Sequence, residues 1–145
     1  MQWSPGKNLG FSAAPPAGLY LPVDPSPDAP NVETQEQDPH SLLQRTRALI
    51  HLRHSEPALS AYAEFVPLYA RKSTYPFIYA RAKDNDVVLV ILNPAKAAAA
   101  AEFTLQVPYS GLTLLAGKAP GISREGEKMA VKIEGRSYAI YRLEK

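Results

Sequence analysis

Asp84-Asn85-Asp86-Val87-Val88-Leu89-Val90-Ile91-Leu92-Asn93-Pro94 carries three turn residues, an unbroken apolar run and a stop. A short apolar run between such breakers is the pattern of a strand buried on both faces. The residues on either side keep a period of two. Phe65-Val66-Pro67-Leu68-Tyr69 and residues 75–82 read as strands before it. Phe103, Leu105 and Val107 alternate with Thr104 and Gln106 after it, residues 112–115 form a short strand, Met129, Val131 and Ile133 alternate with Lys132 and Glu134, and residues 138–143 close the chain. Six or seven short strands at turn-punctuated spacing predict an antiparallel β-sandwich or barrel. The alanine run at residues 97–101 suits either a helical turn or a plain linker.

Upstream the pattern changes. Asp38-Pro39-His40-Ser41-Leu42-Leu43 reads as a helix start, with Asp38 as the cap and Pro39 where a missing N–H costs nothing. Leu42, Leu43, Leu49 and Ile50 then recur at helical spacing. Arg53 and His54 suit the negative end of the helix dipole, and Pro57 ends the run. This stripe must be covered by something, and an acidic residue at Leu49 is expected to disrupt the fold or its assembly. Eight of the 14 prolines fall before residue 40. They forbid regular helix or central strand in residues 1–37. Yet that segment holds Trp3, Phe11, Tyr20, Leu21 and Val23, more large apolar groups than a disordered tail carries. The fold expected is thus mainly β: an extended loop over 1–37, one amphipathic helix with its exit over 38–59, and an antiparallel β-sandwich over 60–145. A long loop of this kind is expected to begin partway through something larger.

With 145 residues, 46% hydrophobic and 21% charged, the chain suits one soluble domain or a small domain with an extension. The net charge of +2 is spread along the chain, which argues against nucleic acid as a partner. There is no cysteine, so disulfides and thiolate metal sites are excluded. The longest apolar run is far short of the roughly 20 residues a membrane span needs, and no signal peptide is read at the start. No membrane partner and a cytoplasmic location are the expectation.

Several short motifs occur in order: Met1-Gln2-Trp3-Ser4, Gly10-Phe11-Ser12, Leu21-Pro22-Val23, Asn31-Val32-Glu33-Thr34-Gln35, Asp38-Pro39 with Ser41-Leu42-Leu43, Leu49-Ile50 with Leu52-Arg53, and Pro57-Ala58-Leu59. Together they resemble the C-terminal part of glycoside hydrolase family 13, the α-amylase superfamily, in its α-glucosidase, oligo-1,6-glucosidase and trehalose-synthase-like members. The resemblance implies that residues 1–37 match the loop after the last barrel strand and that the helix matches the last barrel helix. Residues 87–93 and 138–143 would match the central and closing strands of the C-terminal sandwich. It further implies a parent that acts on α-glucosidic bonds with retention, using three acidic residues on earlier barrel strands. None of those three has a counterpart here, so no catalytic residue carries over. Gln2 and Trp3 alone fall in a loop that lies near the active-site mouth in the family.

The remaining candidates are weaker. Retaining cleavage needs two carboxylates ~5 Å apart, whereas Asp24, Asp28, Glu33, Glu36 and Asp38 read as turn and cap residues. His51 and His54, with Glu56, have metal-like spacing but no distant further ligand, and no metal or cofactor is expected. His40 reads as first-turn decoration, and Ser41 and Ser60 lack a histidine and an acid at triad spacing. Trp3, Tyr20, Tyr69, Tyr75, Tyr79, Tyr138 and Tyr141 are either sugar-stacking rings or packing. The expected role is a non-catalytic C-terminal domain that stabilises a (β/α)8 barrel, in cis or in trans, and shapes its entrance. Two other roles stay open: an independent α-glucan-binding or accessory module, and a structural remnant that self-associates through the helix stripe.

Overall fold

The computed structural model describes residues 2–145; Met1, at the head of the first motif, lies outside the described residues. The chain divides into two compact units, Met1–His51 and Leu52–Lys145.

In the first unit, helix α1 (Val32–Gln37) is followed by helix α2 (Leu42–Ser55), which continues into the second unit. Two features differ from the sequence expectation. The first is α1, which forms because the proline run stops at Pro30, leaving residues 31–38 free to donate. Asn31 starts it: its Oδ1 accepts from the Thr34 N–H at 2.9 Å. The second is the start of α2. Asp38 accepts from the His40 N–H in a preceding turn. The cap is instead Ser41, whose backbone carbonyl takes the Arg45 N–H and whose Oγ takes the Gln44 N–H. Gln35 supports it, its Oε1 accepting from the Leu43 N–H at 3.0 Å. One polar residue of α1 thus satisfies an orphan amide of α2.

The second unit is the sandwich. Its strands are β1 (Glu64–Arg71), β2 (Thr74–Lys83), β3 (Asp86–Asn93), β4 (Ala99–Thr104), β5 (Gly111–Gly117), β6 (Gly121–Glu125), β7 (Lys128–Ile133) and β8 (Ser137–Glu144). They form a five-stranded sheet in the order β1-β2-β3-β8-β5 and a three-stranded sheet in the order β4-β7-β6, with every pairing antiparallel. The Tyr75–Pro76 peptide bond is cis. The core lies between the sheets. Ile78, Leu89 and Ile91 of one meet Phe103, Met129, Val131 and Ile133 of the other. Each such side chain is worth about 1.5–3 kcal/mol on full burial.

Strand β3 is buried on both faces, as its unbroken apolar run predicts. Leu89 and Ile91 enter the core, while Val88 and Val90 enter a second cluster on the opposite face with Ala58. One strand and the first part of another were hidden in the sequence. The alanine run belongs to β4, where Ala99 and Ala101 face inward opposite Ile133 and Val131. Alternation was invisible there because the inward and outward positions both hold alanine. Strand β6 has one apolar residue, Ile122, to mark it.

Candidate functional site

In the first unit the candidate entrance residues are held by backbone bonds. The Trp3 N–H reaches the Leu9 carbonyl at 2.8 Å. The Gln2 and Trp3 carbonyls accept the Val32 and Glu33 N–H groups, each at 3.0 Å. Residues 2–3 therefore cap α1, which is why the first and fourth motifs belong together. Asn8 keeps the loop closed: it is buried, and its Nδ2 donates to the Ser12 and Ala14 carbonyls at 2.8 Å each. The loop leaves its rings outward, with Trp3 53%, Phe11 49% and Tyr20 98% exposed. Phe11, Leu19, Tyr20 and Val23 help line an open recess of 540 Å³ that no acidic side chain lines.

The acidic cluster of the sequence divides into local roles. The Asp24 Oδ1 accepts from the Ser26 N–H at 2.9 Å, and hydrogen bonds from Ser26 lower its pKa. Glu36 pairs with Arg47 at 2.9 Å, and Asp38 holds a turn. His51 and His54 are exposed on α2. Among the described residues, no group of three His, Asp or Glu could hold a metal ion. Glu56, read as their companion, faces another partner: it is buried and forms an ion pair with Arg142, whose Nε donates to Oε2 at 3.2 Å.

That pair belongs to the outer face of the five-stranded sheet. Alternation puts Arg81 of β2 and Arg142 of β8 on this face, on either side of Val88 in register. Arg142 holds Glu56, and the hydrogen bond it donates to Glu56, followed by the carboxylate's charge, raises the Arg142 pKa. Arg81 Nη2 donates to the Ser60 and Ala63 carbonyls at 2.7 and 3.0 Å. The two arginines clamp the segment after α2, with its 3-10 turn at Pro57–Leu59, onto the sheet. Sequence reading singled out neither arginine. The signal was there: a charged residue in phase with the apolar outer positions of a buried strand needs a partner.

We expect the pair to be asymmetric. Arg142→Ala strands a buried carboxylate, whereas Glu56→Gln leaves a half-exposed guanidinium that water can solvate. Water screens the pair, so the arginine variant falls at the low end for broken buried ion pairs, about 3 kcal/mol. The glutamine variant costs about 1 kcal/mol. Urea unfolding of the two variants checks the order, and equal losses would contradict it.

Beside the clamp, Phe65, Phe77 and Tyr79 form a tilted aromatic cluster. Centroid separations are 5.0 Å for Phe65–Tyr79 and 5.2 Å for Phe77–Tyr79. Burial pushes the Tyr79 phenol above its ordinary pKa, against the opposing charge of Arg81. Phe65 stays 49% exposed. The aromatics thus divide between packing and exposure. Tyr141 lies in the core, Tyr79 in the cluster, and Tyr75 is 45% exposed. On the three-stranded sheet a groove of 710 Å³ runs past Glu102, Thr104, Ser123 and Lys128. At its side the Arg124 guanidinium sits 4.0 Å over the Tyr109 ring, which covers a face a sugar would need.

No protein-family model matches the chain. It is 35% identical over 111 residues to the trehalose synthase/amylase TreS of Mycobacterium tuberculosis, a match spanning 73% of this chain and 18% of the relative. It is 31% identical over 93 residues to the oligo-1,6-glucosidase of Parageobacillus thermoglucosidasius, spanning 64% of this chain and 16% of the relative. An isomaltulose synthase structure from Erwinia rhapontici superposes with a TM-score of 0.72 at 24% identity, over 99% of this chain and 24% of that one. This last likeness bears on the fold alone. The chain spans less than a quarter of the length of the curated relatives it matches. Motif order, sandwich topology and these relatives agree: the chain belongs to the α-amylase superfamily, glycoside hydrolase family 13, and corresponds to a C-terminal part of its enzymes.

Proposed function

We propose that the chain is the non-catalytic C-terminal part of an enzyme acting on α-glucosidic bonds. Its sandwich stabilises a catalytic (β/α)8 barrel, in cis or in trans, and the loop bearing Gln2 and Trp3 shapes the barrel entrance. The observation that carries this reading is α2. No residue of that helix is buried, and Leu42, Leu49 and Ile50 are 76%, 36% and 53% exposed. An apolar stripe on a helix is ordinarily buried against another element, and among the described residues this one stays exposed. Of the two outcomes expected of an acidic residue at Leu49, disruption of the fold or of its assembly, this exposure favours the second.

Leu49→Asp in the isolated chain should change stability by no more than about 0.5 kcal/mol, as for other exposed positions. The same substitution should weaken binding to a purified barrel portion of a trehalose synthase relative at least about tenfold. Calorimetry on both variants reads both numbers. A wild-type chain that fails to bind the barrel, or a Leu49→Asp chain that binds equally well, would overturn the docking role.

The exposed rings favour a second reading, an α-glucan-binding module, because Tyr20 and Phe11 flank an apolar recess. Saturable heat on titration with maltooligosaccharides supports it, and silence removes it. The bare helix stripe also fits a second copy of the chain. Light scattering that shows a strict monomer removes that reading.

A further inference from the structure

A sheet that ends in an unpaired strand invites another strand, and proteins ordinarily guard such edges with charge, proline or bulges. The sandwich has four edges; three are guarded by charge or proline, and the fourth carries a bulge alone. Strand β1 carries Pro67, which has no N–H, and two register irregularities. Strand β6 ends in Arg124 and Glu125, with both side chains exposed. Strand β4 presents Glu102 and packs beside β1 and β2. Strand β5 differs. Gly111-Leu112-Thr113-Leu114-Leu115-Ala116-Gly117 holds no charge and no proline, and it pairs on one side only, with β8. Thr113 and Leu114 are exposed, Leu114 at 40%.

We propose that β5 is a pairing edge for a second copy of this chain, joining two five-stranded sheets antiparallel across a two-fold axis at Thr113. The sequence itself argues for a copy as the occupant. A continuous antiparallel sheet with a two-fold perpendicular to it sets a residue opposite itself, because side chains alternate with a period of two. Leu112-Thr113-Leu114 reads the same in both directions. Pairing at Thr113 therefore gives two leucine–leucine pairs on one face and a threonine–threonine pair on the other, both favourable cross-strand combinations. No like charges meet. The nearest charge along the chain, Lys118, lies outside the strand and is already 2.6 Å from Glu134, while Arg142 and Glu144 stand on β8, on the side of β5 away from the edge. The ladder to β8 is regular from Gly111 to Leu114, and its irregularity begins only beyond Leu114, so the palindromic stretch is the straight part of the edge. The bulge that follows keeps the contact short, and the association should be weak.

The test uses the full chain, over ~1 μM to ~1 mM. Sedimentation velocity should show a mass that rises toward the dimer. Leu114→Lys should remain monomeric with an unchanged melting temperature, while Leu49→Lys, on the helix stripe, should dimerise like wild type. The chain has no cysteine, so single-cysteine variants report the register directly. Opposed Cα atoms in an antiparallel pair lie ~4.5–5.5 Å apart, within disulfide reach. Thr113→Cys should cross-link at least tenfold faster than Tyr62→Cys, whose site is 96% exposed and off the edge. A strict monomer at every concentration overturns the proposal, as does a dimer that Leu114→Lys leaves intact or Leu49→Lys abolishes. If Leu114→Lys fails to fold, the cross-linking rates decide: equal rates for the two cysteine variants overturn it.

Discussion

Asn93→Ala is expected to lose about 3–5 kcal/mol of stability, the summed cost of emptying a fully buried site and of leaving several partly buried backbone groups without partners. Asn93 is fully buried at the end of β3. Its Nδ2 donates to the Ala97 and Glu134 carbonyls at 2.9 Å each, with a longer contact to Ile133 at 3.5 Å, and its Oδ1 accepts from the Ala95 N–H at 3.2 Å. One side chain therefore ties the turn after β3, in the five-stranded sheet, to the end of β7, in the other. Against a total of about 5–15 kcal/mol for a small domain, the loss should lower the melting temperature by more than 10 °C. Asn93→Asp separates hydrogen bonding from volume, because the carboxylate has nearly the same shape but turns no donor toward those carbonyls. It should be at least as damaging near pH 7. Burial beside carbonyl oxygens raises its folded pKa above the unfolded value of ~3.9. Its deficit should therefore shrink as pH falls and the carboxyl regains a proton to donate. Calorimetric melts near pH 7 and at about pH 4, close to the ordinary carboxylate pKa, check this, and wild-type melting for Asn93→Ala would contradict it.

Gly117→Ala and Gly135→Ala should be comparably severe, for steric reasons. Gly117 closes β5 with φ +92°, and a Cβ there would land on the Tyr138 carbonyl oxygen and 2.9 Å from the Tyr138 ring. Gly135 lies in the turn between β7 and β8, where a Cβ would overlap the Lys96 carbonyl. In both cases the obstacle is backbone, which cannot swing aside as a side chain can. Next to Gly135, the Arg136 N–H reaches the Ala95 carbonyl at 2.7 Å, so the displaced turn would also lose that bond. Loss of the cooperative thermal transition, or a drop of more than 10 °C, is expected for each. Gly111→Ala is the control: its Cβ would meet nothing nearer than the Glu144 Cβ at 4.0 Å, and φ there is not positive. A control that melts as low as the other two would show that the turn geometry is not the cause.

What could be seen in the sequence follows from what carries periodic contrast. The run from Val87 to Leu92 announced the central strand because every position is apolar. Strand β7 announced itself by alternation, and β2 and β8 were read as strands over residues 75–82 and 138–143. The alanines of β4 carry no contrast, so only its end at Phe103 and Thr104 was read, and β6, with a single inward apolar residue, escaped. The prolines before residue 31 were rightly read as excluding helix, but that reading ran seven residues too far and missed α1. Charged residues were the hardest to place. Glu56 sat beside two histidines in sequence and looked like part of their group. It bonds to Arg142, 86 positions away, and nothing local marks such a partner. The loop motifs were visible as an ordered series, yet their reason was not: the Gln2 and Trp3 carbonyls cap α1, and Gln35 caps α2.

We propose that this chain lends structure to an enzyme acting on α-glucosidic bonds and performs no cleavage itself. Incubation of the purified chain with maltose and with p-nitrophenyl α-glucoside tests it most directly. The account predicts glucose and p-nitrophenol release indistinguishable from a no-protein control. Turnover above that control that co-purifies with the chain, and that disappears when the chain is unfolded, would contradict it.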